Sequence, residues 1–153
     1  MVPVEVKILD ERLLSEFGAP VYASEGAAGL DLRACIDKPE VTIMPGEQLM
    51  VGTGLAIHLK NPNLAGLLMP RSGLGTKHRI VLANTVGLMD SDYQGEVKAC
   101  LTNEGSQPFV LRAGERIAQY VVVPTFQLAM TVVEEFGAST ERGEGGFGST
   151  GTK

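Results

Sequence analysis

Apolar and polar residues alternate with a period of two along most of this chain, the repeat of a β-strand with one buried and one wet face. The alternation runs through VPVEVKIL (2–9), GLDLRACI (29–36), GLAIHL (54–59) and GEVKACL (95–101). Short β-branched runs follow at 116–124 (RIAQYVVVP) and 128–135 (LAMTVVEE), and 80–82 is a brief apolar one. Turn formers separate them: MPGE (44–47), NPN (61–63), NEGSQP (103–108) and RAGE (112–115). Many short strands at regular spacing predict an all-β sandwich or barrel. RLLSEF (12–17) is long enough for one helical turn, whereas SGLGTKHR (72–79) is too rich in glycine to be expected as a helix.

A chain of 153 residues can bury a core without disulfides or a structural metal, and 44% hydrophobic with 20% charged residues is a globular composition. The formal net charge is −5 and there is no lysine-arginine run, so no nucleic-acid partner is expected. An anionic ligand must then be held locally, by a few arginines, backbone N–H groups or a cation. Cys35 and Cys100 sit apart in apolar runs and read as buried thiols; His58 and His78 are too few for a histidine zinc site. No stretch approaches the roughly 20 apolar residues of a membrane span, and MVPVEVKILD lacks the apolar core of a signal peptide. The expectation is a cytoplasmic protein with no membrane partner.

The character changes at Gly137. GASTERGEGGFGSTGTK has six glycines in 17 residues and one aromatic, Phe147. The expected organisation is a β domain over 1–136 and a flexible arm over 137–153. Gly143, Gly145 and Gly148 match G-x-G-x-x-G, but a dinucleotide fingerprint needs a strand before it and a helix after it.

Four segments before the arm carry chemistry. MPRSGLG (69–75) offers Arg71, the Ser72 hydroxyl and glycines beginning at Gly73, where backbone N–H groups can close around phosphate oxygens. It is not a Walker loop, since the chain has no Gly-Lys pair. AAGLDLRA (27–34) puts Asp31 on the face opposite Leu30 and Leu32: an exposed residue, or beside phosphates a holder of Mg²⁺ waters. NTVGLMDSDYQGE (84–96) has the composition of a solvated hairpin turn, yet carries Asp90 and Asp92 two apart and then Tyr93. GERIAQY (114–120) supplies Arg116 and Gln119, each readable as a surface or fold-supporting residue.

Taken in order, AGLDLRA, PRSGLG, NTVGLMDSDYQGE, GERIAQ and RGEGGFGSTG resemble the five motifs of the trimeric deoxyuridine triphosphatase (dUTPase) family, over essentially the whole chain. The resemblance implies a jelly roll or distorted β-barrel, assembled as a homotrimer whose sites are shared between subunits. The implied reaction is hydrolysis of dUTP to dUMP and pyrophosphate by water attack on the α-phosphorus. Such a reaction limits uracil incorporation into DNA and supplies dUMP for thymidylate synthesis. By the same resemblance Asp90 orients and deprotonates the water. Tyr93 lies under the deoxyribose and excludes a 2′-hydroxyl. Asn84, with the backbone of Gly87, Leu88 and Met89, reads uracil. Arg71, Ser72, Gly73 and Gln119 hold phosphates, and Asp31 binds Mg²⁺ through water. Arg142 and Ser149 reach the terminal phosphate, Phe147 covers the uracil, and Gly148 stands with them among the substrate-binding residues. Met89 stands where isoleucine or valine is usual; Lys98, at a variable position, is carried among the substrate-binding residues.

Two alternatives compete. A dCTP deaminase-like protein would need a different base reader and a glutamate acting on the ring. A non-catalytic nucleotide-binding trimer would more often have lost the counterparts of Asp90 or Arg142.

Overall fold

The computed structural model describes residues 1–146, and the alternating runs fold into ten strands and two short helices. One sheet takes the order β1-β4-β8-β6, from β1 (Glu5–Ile8), β4 (Gln48–His58), β8 (Glu96–Asn103) and β6 (Ile80–Leu82). The second takes the order β2-β10-β5-β7, from β2 (Leu30–Arg33), β10 (Arg116–Pro124), β5 (Leu64–Pro70) and β7 (Gly87–Met89). A third, two-stranded sheet pairs β3 (Glu40–Ile43) with β9 (Phe109–Arg112). All the strand pairings are antiparallel.

The inward positions of the two large sheets meet in one core. Val51, Leu55 and Ile57 of β4 and Val97, Ala99 and Leu101 of β8 cluster with Leu32, Leu68, Ile117 and Tyr120. On β8 the burial alternates along the whole strand, as the period of two requires. The jelly-roll-like, all-β architecture therefore follows the sequence pattern.

Two expectations need correction. Residues 72–79 hold a helix: α2 spans Ser72–His78 despite its two glycines. Arg71 enters it in an extended conformation, and Arg79 ends it in the left-handed region (φ 57°), donating its N–H to the Gly75 carbonyl at 3.1 Å. Leu74 packs against the core, and that contact outweighs glycine's weak helix propensity. The run 128–135, in contrast, forms no strand. Phe126, Leu128, Met130 and Val132 alternate as a strand would, but all are exposed, because nothing among the described residues pairs with them. The single turn expected at 12–17 is present as α1 (Arg12–Ser15), with Leu13 buried.

Candidate active site

Register builds the first cluster. On β10, Gln119 pairs with Asp31 of β2 on one side and with Met69 of β5 on the other. The bulge between Arg116 and Ala118 then turns Arg116 back towards the same spot. Asp31 receives both arginines: Arg71 Nε donates to Oδ1 and Arg116 Nη1 to Oδ2, each at 3.0 Å. Arg71 Nη1 also donates to the Arg116 carbonyl at 3.1 Å. Arg71 and Asp31 are half-buried, whereas Arg116 is exposed and held by its ion pair with Asp31. The Gln119 amide donates to the Pro70 carbonyl at 3.4 Å. Gly29 lies beneath it, where a Cβ would stand 3.0 Å from Gln119 Oε1.

Around this cluster opens a cleft of about 610 Å³ lined by Arg33, Arg71, Arg112 and Arg116, with Phe17 and Leu74 as apolar walls. Ser72 and Gly73 are exposed at the start of α2, and a Cβ on Gly73 would meet nothing within 4 Å. The fold itself therefore does not require glycine there. A ligand lying against the backbone would.

The second cluster is the 84–96 hairpin. Val86 N–H donates to the Asn84 carbonyl at 2.6 Å across Thr85, which has φ 61°. A β-branched residue with positive φ costs about 1–3 kcal/mol and is held there by its surroundings. β7 then pairs Gly87 with Leu68, and the chain turns again where Tyr93 N–H donates to the Asp90 carbonyl at 3.2 Å. Gly87 is buried against Leu68, Met89 is half-buried on the core, and Leu88 points outward, 68% exposed. Asp90 is exposed and, with Leu88, His58, Lys60 and Phe126, lines a cavity of about 770 Å³. The carbonyl of Ser91 accepts from the N–H groups of Leu59 and Lys60 at 3.2 and 3.3 Å, tying the turn to the end of β4. The Tyr93 hydroxyl donates to the Glu96 carbonyl at 3.1 Å. The Glu96 side chain in turn accepts from Gly54 N–H at 3.0 Å and stands 3.6 Å from Lys98 Nζ.

The two clusters do not meet within one chain. Arg71 follows Pro70 at the end of β5, whereas Asp90 follows Met89, which pairs with Gly66 near that strand's start. Asp90 and Arg71 thus leave opposite ends of β5, about 15–20 Å apart at a strand's rise per residue. Arg142 is exposed, its Nε donating to the Gly145 carbonyl at 2.9 Å. Phe147, Gly148 and Ser149 lie outside the described residues. Arg116 is the functional candidate that sequence reasoning undervalued; its signal was its place in the same short segment as Gln119.

Three comparisons agree on what this arrangement belongs to. The dUTPase family profile matches residues 15–151. A deoxyuridine 5′-triphosphate nucleotidohydrolase of Neisseria meningitidis serogroup C is 60% identical over 151 residues, 99% of this chain and 98% of that protein. The same enzyme of Hahella chejuensis is 57% identical over 148 residues, 97% of this chain and 96% of that one. Among solved structures, a mutant of the Staphylococcus bacteriophage 80alpha dUTPase with dUpNHpp superposes with a TM-score of 0.80 at 26% identity, covering 99% of each chain. The chain belongs to the dUTPase family.

Proposed function

We propose that dUTP hydrolysis by this chain runs through Asp90 of one subunit and the Arg71 cluster of another. As a member of its family the chain is a dUTP diphosphatase, converting dUTP to dUMP and pyrophosphate. Asp90 takes a proton from a water as that water's oxygen bonds to the α-phosphorus. The bond from the α-phosphorus to the bridging oxygen breaks, and pyrophosphate leaves with the electron pair. Positioning and charge do most of this work, because phosphoryl transfer leaves little covalent chemistry for the protein. Arg71 and Gln119 hold phosphate oxygens, with Ser72 and the open backbone at Gly73. Asn84 and the backbone of Gly87, Leu88 and Met89 read the base edge, and Tyr93 underlies the deoxyribose. Arg142, Phe147, Gly148 and Ser149 close the site from the arm, and Lys98 flanks the hairpin's base.

The observation that carries the shared site is the separation of Asp90 and Arg71 along β5. One nucleotide cannot place its α-phosphorus at Asp90 while its phosphates rest on the same chain's Arg71. A homotrimer with each site built from neighbouring chains removes the conflict. The exposed alternating residues from Phe126 to Val132 support it, since an exposed apolar segment of this kind fits a subunit interface.

Mg²⁺ fits the site in one way only. Among the described residues no three His, Cys, Asp or Glu side chains converge on a metal position. Asp31 is a single hard oxygen donor beside the phosphate arginines, which suits an ion that keeps its waters and is held chiefly by the substrate's phosphates. Its bound charge would offset that of the triphosphate. Incubation with dUTP and Mg²⁺ should yield dUMP and pyrophosphate, with dCTP and UTP as controls; ammonia release from dCTP would favour the deaminase-like alternative instead.

A further inference from the structure

Gly95 has no conformational reason to be glycine, since its φ lies outside the left-handed region. Its reason is Tyr93. A Cβ built on Gly95 would overlap the Tyr93 hydroxyl and stand 2.6 Å from the ζ carbon and 3.0 Å from an ε carbon of the ring. Ordinary contact begins at 3.4 Å, so the ring would have to retreat by about 1 Å. The far end of this ring is its least restrained part. Tyr93 is 44% exposed as a residue, and its hydroxyl makes one hydrogen bond, to the Glu96 carbonyl. The backbone around it is tied more firmly. The Tyr93 N–H is bonded to Asp90, Glu96 begins β8, and the Glu96 carboxylate is fixed on Gly54. An added methyl group therefore moves the ring and leaves the hairpin.

We infer that Gly95 is a positioning residue for sugar selectivity: its missing side chain leaves the space in which the Tyr93 ring is seated, and that seat sets how strictly a 2′-hydroxyl is refused. The inference rests on the proposed place of Tyr93 beneath the deoxyribose. A ring displaced by about 1 Å either opens the 2′ side to a ribonucleotide or crowds the deoxyribose itself. Both reduce the lead of dUTP over UTP. Misplacements of that size in a fitted site commonly change rates by about 10²-fold.

A double-mutant cycle on the full chain tests this, reading kcat/KM for dUTP and for UTP with the fold followed by circular dichroism. Gly95→Ala should stay folded and lower the dUTP/UTP ratio by at least about tenfold. Tyr93→Ala should lower the ratio at least as far. In the Tyr93→Ala background the Gly95→Ala change should then be silent, because the ring through which it acts is gone. If Tyr93→Ala leaves the ratio unchanged, the placement of Tyr93 under the sugar is wrong. If Tyr93→Ala collapses the ratio and Gly95→Ala does not, that placement stands and the role of Gly95 is overturned. A Gly95→Ala effect that persists without the tyrosine, or loss of the fold in Gly95→Ala alone, also overturns it, since the backbone and not the ring would then be what yields.

Discussion

Asp31 holds Arg71 by its Nε at 3.0 Å, and its other carboxylate oxygen holds Arg116 at the same distance. One carboxylate thus sets the spacing of two guanidiniums before any phosphate arrives. Asp31 was expected from sequence to act on Mg²⁺ through water; its contacts in the structure add an orienting role for arginine. Asp31→Asn keeps the shape and loses the charge that fixes both forks. The KM for dUTP should rise about tenfold even at saturating Mg²⁺. Steady-state kinetics across a Mg²⁺ titration will decide, and a defect that disappears at high Mg²⁺ would assign Asp31 to the metal alone.

Asp90 is anchored through its backbone, by the turn to Tyr93, which leaves its side chain free to face a ligand. Asp90→Asn preserves that turn and removes the carboxylate proposed as the base. The loss, on the order of 10²-fold or more, should appear in kcat with KM little changed. Near-normal turnover by the variant would remove Asp90 from its assigned role.

The strands were legible because the buried face alternates without interruption along β8, and that period admits no other element; β4 alternates only up to Thr53 and is buried on both faces from there to Ile57. Helix α2 was not legible. Its glycines argue against a helix locally, and the packing of Leu74 together with the left-handed stop at Arg79 is visible only in three dimensions. The run 128–135 failed in the opposite sense. Its local pattern is that of a strand, but a strand also needs a partner, and none lies among the described residues. In the site, the segments were readable as motifs and their separation was not. That Asp90 and Arg71 leave opposite ends of β5 depends on the pairing of Gly66 with Met89, which no spacing in the sequence reveals.

Asn103 is fully buried and uses its whole amide. Its Nδ2 donates to the carbonyls of Ile43 and Gln107, both at 2.8 Å, and its Oδ1 accepts from Gly105 N–H at 2.9 Å. Asn103→Ala leaves two carbonyls and an N–H unpaired, so it should destabilise the fold by about 3 kcal/mol or more. Urea denaturation will measure the loss. The kcat per folded molecule should be unchanged, since none of these partners belongs to the site.

Asp10 should make stability fall in acid. The Arg12 side chain donates to both its oxygens, at 2.6 Å for the shortest bond, and holds its pKa at about 2 against an ordinary 3.8. A carboxylate whose folded pKa is depressed adds stability in full above its unfolded pKa and loses it as pH falls through the folded one. The difference in unfolding free energy between wild type and Asp10→Asn, about 1 kcal/mol for so accessible a pair, should be constant above about pH 5. It should shrink as the pH falls below about 5 and disappear only below about pH 2, once the folded-state carboxyl is itself protonated. A difference that stayed flat across that range would mean the pair contributes by shape and not by charge.

Tail exchange between subunits can be tested by mixing two inactive variants. Removal of residues 137–153 takes away Arg142 and Phe147 but none of the buried core, so the truncated chain should fold and assemble with little activity. Asp90→Asn keeps the arm and lacks the carboxylate proposed as the base. Suppose each hairpin is closed by the arm of one particular neighbour in a cyclic trimer. Every mixed trimer, whether two to one or one to two, then contains one site with an intact Asp90 and an intact donated arm. After random co-refolding at equal amounts, three-quarters of the trimers are mixed and one site in three of each is complete. Activity should recover to about a quarter of the wild-type value per site, from parents that each show almost none. If every hairpin used its own chain's arm, no combination could restore a site, so confirmed mixed trimers without recovered turnover would rule the exchange out.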